Sequence, residues 1–241
     1  MEPNVEEKAA RAVSREDWLT ARLELLAAEK ALTRRRDEVA RLRRALPFVR
    51  LDKTYTFEGA KGRSSLADLF AGRSQLLVQH LMFAPDAAAP CKSCSFWADH
   101  MDASLPHLAA RDVSFAAVSR AAPAKLAAHA RRLGWRFPWV SSGDGDFNFD
   151  FAVSFEEGEP RRGPGTYNYA PSTVASGERP GFSAFYRSED GAIFHAYSTY
   201  GRGLDALNGT YALLDLMPKG RDEDALAFPM AWVRFRDEYA A

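Results

Sequence analysis

One segment constrains the fold more than any other: an apolar run from Gln75 to Phe83, a loop holding both cysteines of the chain, a helical repeat, and a second apolar run from Val113 to Val118. The first run is nearly continuous, as in a strand covered on both faces. After the loop Ala84-Pro-Asp-Ala-Ala-Ala-Pro-Cys-Lys-Ser-Cys, residues Cys94, Trp97, Met101, Leu105 and Leu108 fall on one helical face. Strand, helix and strand in that order make a βαβ unit, which requires parallel pairing and a right-handed crossover. The order predicts an α/β fold with Cys91 and Cys94 at the turn where the helix begins.

The flanking segments extend this plan. From Ser14 to Leu46, residues Trp18, Leu19, Leu23, Leu26, Leu32, Val39, Leu42 and Leu46 recur mostly at three- or four-residue steps, with Ser14 and Asp17 as a capping start and Pro47 as a stop. This predicts a long N-terminal helical arm over residues 1–47. Arg34, Arg35, Arg36, Arg41, Arg43 and Arg44 make its second half basic, and interspersed acids identify a solvated face rather than a nucleic-acid surface. A strand at Thr54–Phe57, a turn at Gly59–Gly62 and a serine-capped helix at Ser64–Phe70 precede the βαβ unit. A helix at Pro123–Leu133 follows it, closed by Gly134. Phe182–Tyr186 and Ile193–Tyr197 read as strands joined through Asp190-Gly191, and Leu204–Leu216 as a final helix. The core domain is expected over 48–223, with a tail at 224–241. Between about Glu156 and Pro180 lies a stretch dense in glycine, proline and serine, either a lid or a mobile loop; Tyr167 and Tyr169 favour order.

Composition removes several function classes. Lysine and arginine equal aspartate and glutamate at 32 each, so no net field draws the chain to nucleic acid or an anionic membrane. The opening residues lack the basic segment and apolar run of a secretion signal, and no 18-residue apolar stretch occurs, so the expected compartment is the cytoplasm. No glycine-rich phosphate loop or dinucleotide fingerprint is present, and no cofactor is implied. Asp144, Asp146, Asn148 and Asp150 alternate like half a calcium loop, but Phe149 and Phe155 stand where that motif needs glycine and glutamate.

Longer matches carry a family resemblance. The run Cys91-Lys-Ser-Cys-Ser-Phe-Trp-Ala-Asp99, with Ala110-Arg-Asp-Val113, Gly134-Trp135, Phe137-Pro-Trp-Val-Ser-Ser142, Asp146-Phe-Asn148 and Tyr197-Ser-Thr-Tyr200, resembles a bacterial family of unknown function related to thioredoxins and peroxiredoxins. The resemblance spans nearly the whole chain. It implies a thioredoxin-like central mixed sheet flanked by helices, with the dithiol between the first core strand and the next helix. It also makes Pro180 a candidate for the cis-proline that thioredoxins place facing the dithiol, with an ordinary strand-entry proline as the alternative, and it puts Trp97 beside the site. The surroundings depart from both better-known relatives. Pro90 replaces the tryptophan before the first cysteine, Lys92-Ser93 lacks the intervening proline, and Ala88 stands where peroxiredoxins carry threonine or serine.

Two cysteines separated by two residues close too small a loop to staple a fold, so in a reducing compartment the pair is read as catalytic or metal-binding. At a helix start, Cys91 faces unpaired amides that favour its thiolate, with Lys92 as a further cation, and Cys94 returns to the same side as resolver. The expectation is a thiol-disulfide oxidoreductase with Cys91 and Cys94 catalytic, acting on a protein disulfide or a small oxidant, with peroxidase chemistry the weaker form. A second reading is a soft-metal site, copper above all, drawing Cys91, Cys94, His80, His100 and His195. A third is a non-catalytic interaction module that forms a homodimer through its N-terminal helix.

Overall fold

The computed structural model describes residues 5–156, 166–171 and 176–239. Its contacts divide the chain into two units: residues up to Pro47 with Thr210–Asp222, and Phe48–Gly209 with Glu223 onward.

In the first unit a short helix, α1 (Val5–Ala10), precedes the 30-residue α2 (Arg15–Arg44). Ser14 caps α2, its Oγ accepting from the Asp17 amide at 3.1 Å. Acids in the first turn and Arg41, Arg43 and Arg44 in the last complement the helix dipole. No described residue of α2 is buried. Near the other end of the unit the Arg221 guanidinium holds Asp215 through two 2.8 Å hydrogen bonds and lies over the Tyr211 ring.

The second unit opens with β1 (Val49–Arg50), the hairpin of β2 (Thr56–Gly59) and β3 (Gly62–Ser65), and α3 (Leu66–Leu69). The βαβ unit follows as β4 (Gln75–His80), α4 (Lys92–Ala109) and β5 (Val113–Ser119), then α5 (Pro123–Leu133), β6 (Trp139–Ser141) and α6 (Phe147–Asp150). Short strands β7 (Ser154–Phe155), β8 (Thr166–Tyr167), β9 (Ala170–Pro171) and β10 (Gly177–Glu178) lead into β11 (Gly181–Arg187) and β12 (Ile193–Tyr200). A 3-10 helix over Gly201–Leu207 and α7 (Gly209–Leu214) complete the elements.

Among the described residues eight strands form one sheet in the order β1-β12-β11-β4-β5-β6-β2-β3. β5 is parallel to β4 and to β6, and β11 is antiparallel to β4 and β12. A parallel pair bridged by the cysteine helix, with an antiparallel hairpin added beyond its first strand, is a thioredoxin-like mixed sheet. Central β4 is covered on both faces, so that the polar Gln79 and His80 are buried along with Leu76 and Val78. On one face Phe57, Leu76, Val78, Phe147, Phe151 and Phe185 pack as a single cluster.

One reading changes. The helix expected over Leu204–Leu216 is broken into the 3-10 turn and α7, because Asn208 adopts extended backbone (φ −104°, ψ 105°) between them. A buried asparagine competes with helical backbone for hydrogen bonds, and Gly203 and Gly209 weaken the helix further. In the stretch expected as a lid or loop, residues 157–165 and 172–175 lie outside the described residues. The tyrosines flanked by them are anchored, Tyr167 donating to the Pro180 carbonyl at 2.7 Å and Tyr169 to the Ser198 carbonyl at 3.2 Å. No described helix is long and apolar enough to cross a membrane.

Candidate active site

Cys91 is the N-cap of α4, with extended backbone (φ −61°, ψ 125°), and its sulfur accepts from the Cys94 amide at 3.5 Å. Its own amide is held by the Met82 carbonyl at 2.9 Å, which ties the helix start to the chain leaving β4. Both thiols are free, Cys91 half-buried and Cys94 buried. The two are electrostatically opposite. Hydrogen bonding from Cys94, outweighing burial and joined by the Cys94 and Ser93 amides, draws the Cys91 thiol down to about 6. The same hydrogen bond, with burial and the Cys91 charge, holds Cys94 well above the ordinary thiol range. Near neutral pH Cys91 is therefore the thiol biased toward thiolate, and Cys94 the one held protonated.

Lys92 does not contribute. Its ammonium pairs with Glu238 at 3.2 Å and lies over the Phe235 ring, so the thiolate is favoured by amides and a thiol rather than by a neighbouring cation.

A cavity of about 300 Å³ adjoins Cys94, lined almost wholly by apolar surface from Cys94, Trp97, Met82, Pro180, Phe182 and Met230 among others. That is about twice the ~150 Å³ that accommodates a benzene ring. Trp97 is fixed by its indole donating to the Leu204 carbonyl at 2.8 Å. Pro180 lines the cavity as part of the entry to β11, and its peptide bond is trans, unlike the proline to which the resemblance likens it. Gln79 donates to the Cys94 carbonyl at 2.9 Å, while its Oε1 is buried with no partner among the described residues.

Of the candidate histidines, His80 lines this same cavity, and its Nδ1 is buried with no partner among the described residues. His80 bonds Ser183 through Nε2 at 2.8 Å, Ser183 meets Ser198 at 2.7 Å, and His195 reaches Ser198 at 2.7 Å. Residues three apart on a strand normally face opposite ways. Ala184 pairs with Tyr197 and Phe185 with His195, so Ala196 is an extra residue, a bulge that brings His195 and Ser198 to one face. His100 packs against the Phe96 ring. No group of three or more His, Cys, Asp or Glu side chains close enough to share a metal ion occurs among the described residues. In the calcium-like run Asp146 and Asp150 both pair with Lys53, while Asn148 accepts from Ser142.

Sequence reasoning missed one charged pair. Glu178 is half-buried, accepts from Ser154 at 2.7 Å and meets Arg120 at 3.6 Å, and its charge reaches Cys94 and further disfavours a thiolate there. Arg120 in turn lies over the Phe149 ring. Nothing in the local spacing links residues 58 positions apart.

Comparison with protein families matches residues 7–239 to the bacterial proteins of unknown function called DUF899. The chain belongs to this family. In fold comparisons the DUF899 chain is similar to the peroxidoxin BcpB of Mycobacterium tuberculosis, with 15% identity and a TM-score of 0.43 over 66% of this chain and 91% of that one. It is likewise similar to peroxiredoxin Q of Xanthomonas campestris, at 17% and 0.45 over 68% and 91%. The mitochondrial 2-Cys peroxiredoxin of Plasmodium falciparum gives 11% and 0.40 over 70% and 92%. A comparison with curated proteins finds no match for the DUF899 chain.

Proposed function

We propose that this DUF899 protein is a thiol-disulfide oxidoreductase in which Cys91 attacks and Cys94 resolves. The observation that carries the reading is the opposite bias on two thiols within one helical turn: a half-buried thiolate at the helix cap and a fully buried, protonated partner bonded to it. The Cys91 thiolate attacks one sulfur of a substrate disulfide, forming a mixed disulfide and releasing the other half as thiolate. Cys94 then loses its proton and attacks the Cys91 sulfur. The intramolecular disulfide forms, the second substrate thiolate leaves, and two electrons have passed to the substrate.

Formation of the mixed disulfide removes the charge on Cys91. Both effects that hold Cys94 up through its neighbour, the donated hydrogen bond and the like charge, then disappear, so the resolving thiol ionises only when its target is in place. The apolar cavity beside Cys94 supports a substrate that presents an apolar group next to its disulfide.

Mixing the reduced protein with a disulfide-bonded apolar peptide tests this. Wild type is expected to release peptide thiols and become oxidised, Cys94→Ser to accumulate a covalent adduct at Cys91, and Cys91→Ser to do neither. A Cys91→Ser protein that reduces the peptide at the wild-type rate, or a wild-type dithiol that stays reduced in excess oxidised glutathione, overturns the assignment.

A further inference from the structure

We propose that α2 pairs with α2 of a second copy of this chain, laid antiparallel, as a two-helix coiled coil. Trp18, Leu25, Leu32 and Val39 recur at seven-residue steps, and Ala21, Ala28 and Leu42 follow the first, second and fourth of them by three. A seven-residue apolar repeat with a second position three residues on is the seam of a left-handed coiled coil.

That seam is uncovered. Trp18 is 46% exposed, Leu25 54%, Leu32 51% and Leu42 48%, within a helix that has no buried described residue. Helices in water take most of their stability from packing an apolar face, so a 30-residue helix with an open heptad seam is matched to a partner helix.

Charge identifies the partner and its direction. Residues 15–29 carry four acids against two bases, and residues 30–44 carry seven bases against two acids. An antiparallel copy sets the acidic half of each helix on the basic half of the other, twice over, about a two-fold axis. A parallel copy would hold the two basic halves together well within the ~10 Å screening length. Size agrees with the antiparallel arrangement. With the axis at Lys30, Trp18 meets Leu42, Val39 meets Ala21 and Leu32 meets Ala28, while the aliphatic stem of Arg35 covers Leu25.

Sedimentation equilibrium of the full chain should give twice the 26.7 kDa chain mass, and Leu25→Asp with Leu32→Asp should return it to the single-chain value. Alkylation of Cys91 at an unchanged rate in that double variant shows that the thioredoxin-like unit is still folded. Direction is read by cross-linking in a Cys91→Ser, Cys94→Ser background. Val13→Cys chains mixed with Ala45→Cys chains should form a disulfide-linked pair, and Val13→Cys chains alone should not. A single-chain mass at tens of micromolar, a dimer indifferent to the two aspartates, or self-linking of Val13→Cys each overturns the proposal.

Discussion

Cys91 shows how little of a reactive site need be charged. Its thiolate is favoured by the Cys94 thiol, two amides and the Ser93 hydroxyl, so the effect belongs to the first turn of α4 and to Cys94 in particular. Alkylation of the native protein across pH should show a midpoint near 6 for Cys91. Removing the donor with Cys94→Ala should move that midpoint upward by roughly one unit or more, because an acceptor that loses its hydrogen bond loses stabilisation of its charged form. Lys92→Ala should leave it unchanged, since that ammonium is engaged by Glu238. The position of Cys91 at the helix start was legible in the order of run, loop and helical repeat. The choice of Cys94 as its main partner was not, because a thiol-to-thiol hydrogen bond depends on how far both sulfurs are removed from water.

At the scale of elements, β11 and β12 carry information that their sequences hold only in part. Asp190-Gly191 foretold the hairpin, and Gly191 indeed takes positive φ (88°). The bulge at Ala196 was silent, because Ile193–Tyr200 has no strict apolar-polar alternation whose break would mark an extra residue. At the start of β11, Gly181 has a different role from a turn glycine. An added Cβ would stand 2.7 Å from the Tyr200 ring, which lies across the strand and donates through its hydroxyl to the Phe151 carbonyl. Gly181→Ala should therefore cost about 1–3 kcal/mol, read as a lower urea midpoint. Because Gly181 also lines the cavity, the same variant should slow reduction of an apolar substrate more than that of a small polar disulfide.

For the whole molecule, the buried sheet sets a limit on acid stability. Burial, aided by the nearby His195, holds His80 down to about 3, against 6.5 for a free side chain. The unfolded chain therefore binds a proton at His80 that the folded chain refuses. This contribution is neutral above about pH 6.5 and lowers stability progressively as pH falls from there toward 3, by on the order of 4 kcal/mol across the window. Urea unfolding at pH 7 and pH 5 should differ by about 2 kcal/mol from this group alone. His80→Gln should show a correspondingly smaller difference; an equal difference in both proteins would remove His80 as the cause. Glu178, which burial pushes upward, acts in the opposite sense and is common to both proteins in that comparison.

The sequence by itself determined what depends on neighbours along the chain. The caps at Ser14 and Gly134, the βαβ order, the helix over Pro123–Leu133 and the cysteines at a βα turn all rest on periodicity and on backbone preferences acting over a few residues. Two-residue strands such as β7 to β10 fall below the length at which a period can be read. Only the tertiary structure decided which groups share an environment. The cavity is assembled from β4, the start of α4, the entry to β11, the 3-10 turn and Met230, and Glu178 reaches Cys94 across 84 positions of sequence. Desolvation and charge act through space, so the division of labour between the two thiols arises when distant segments close over one end of the sheet.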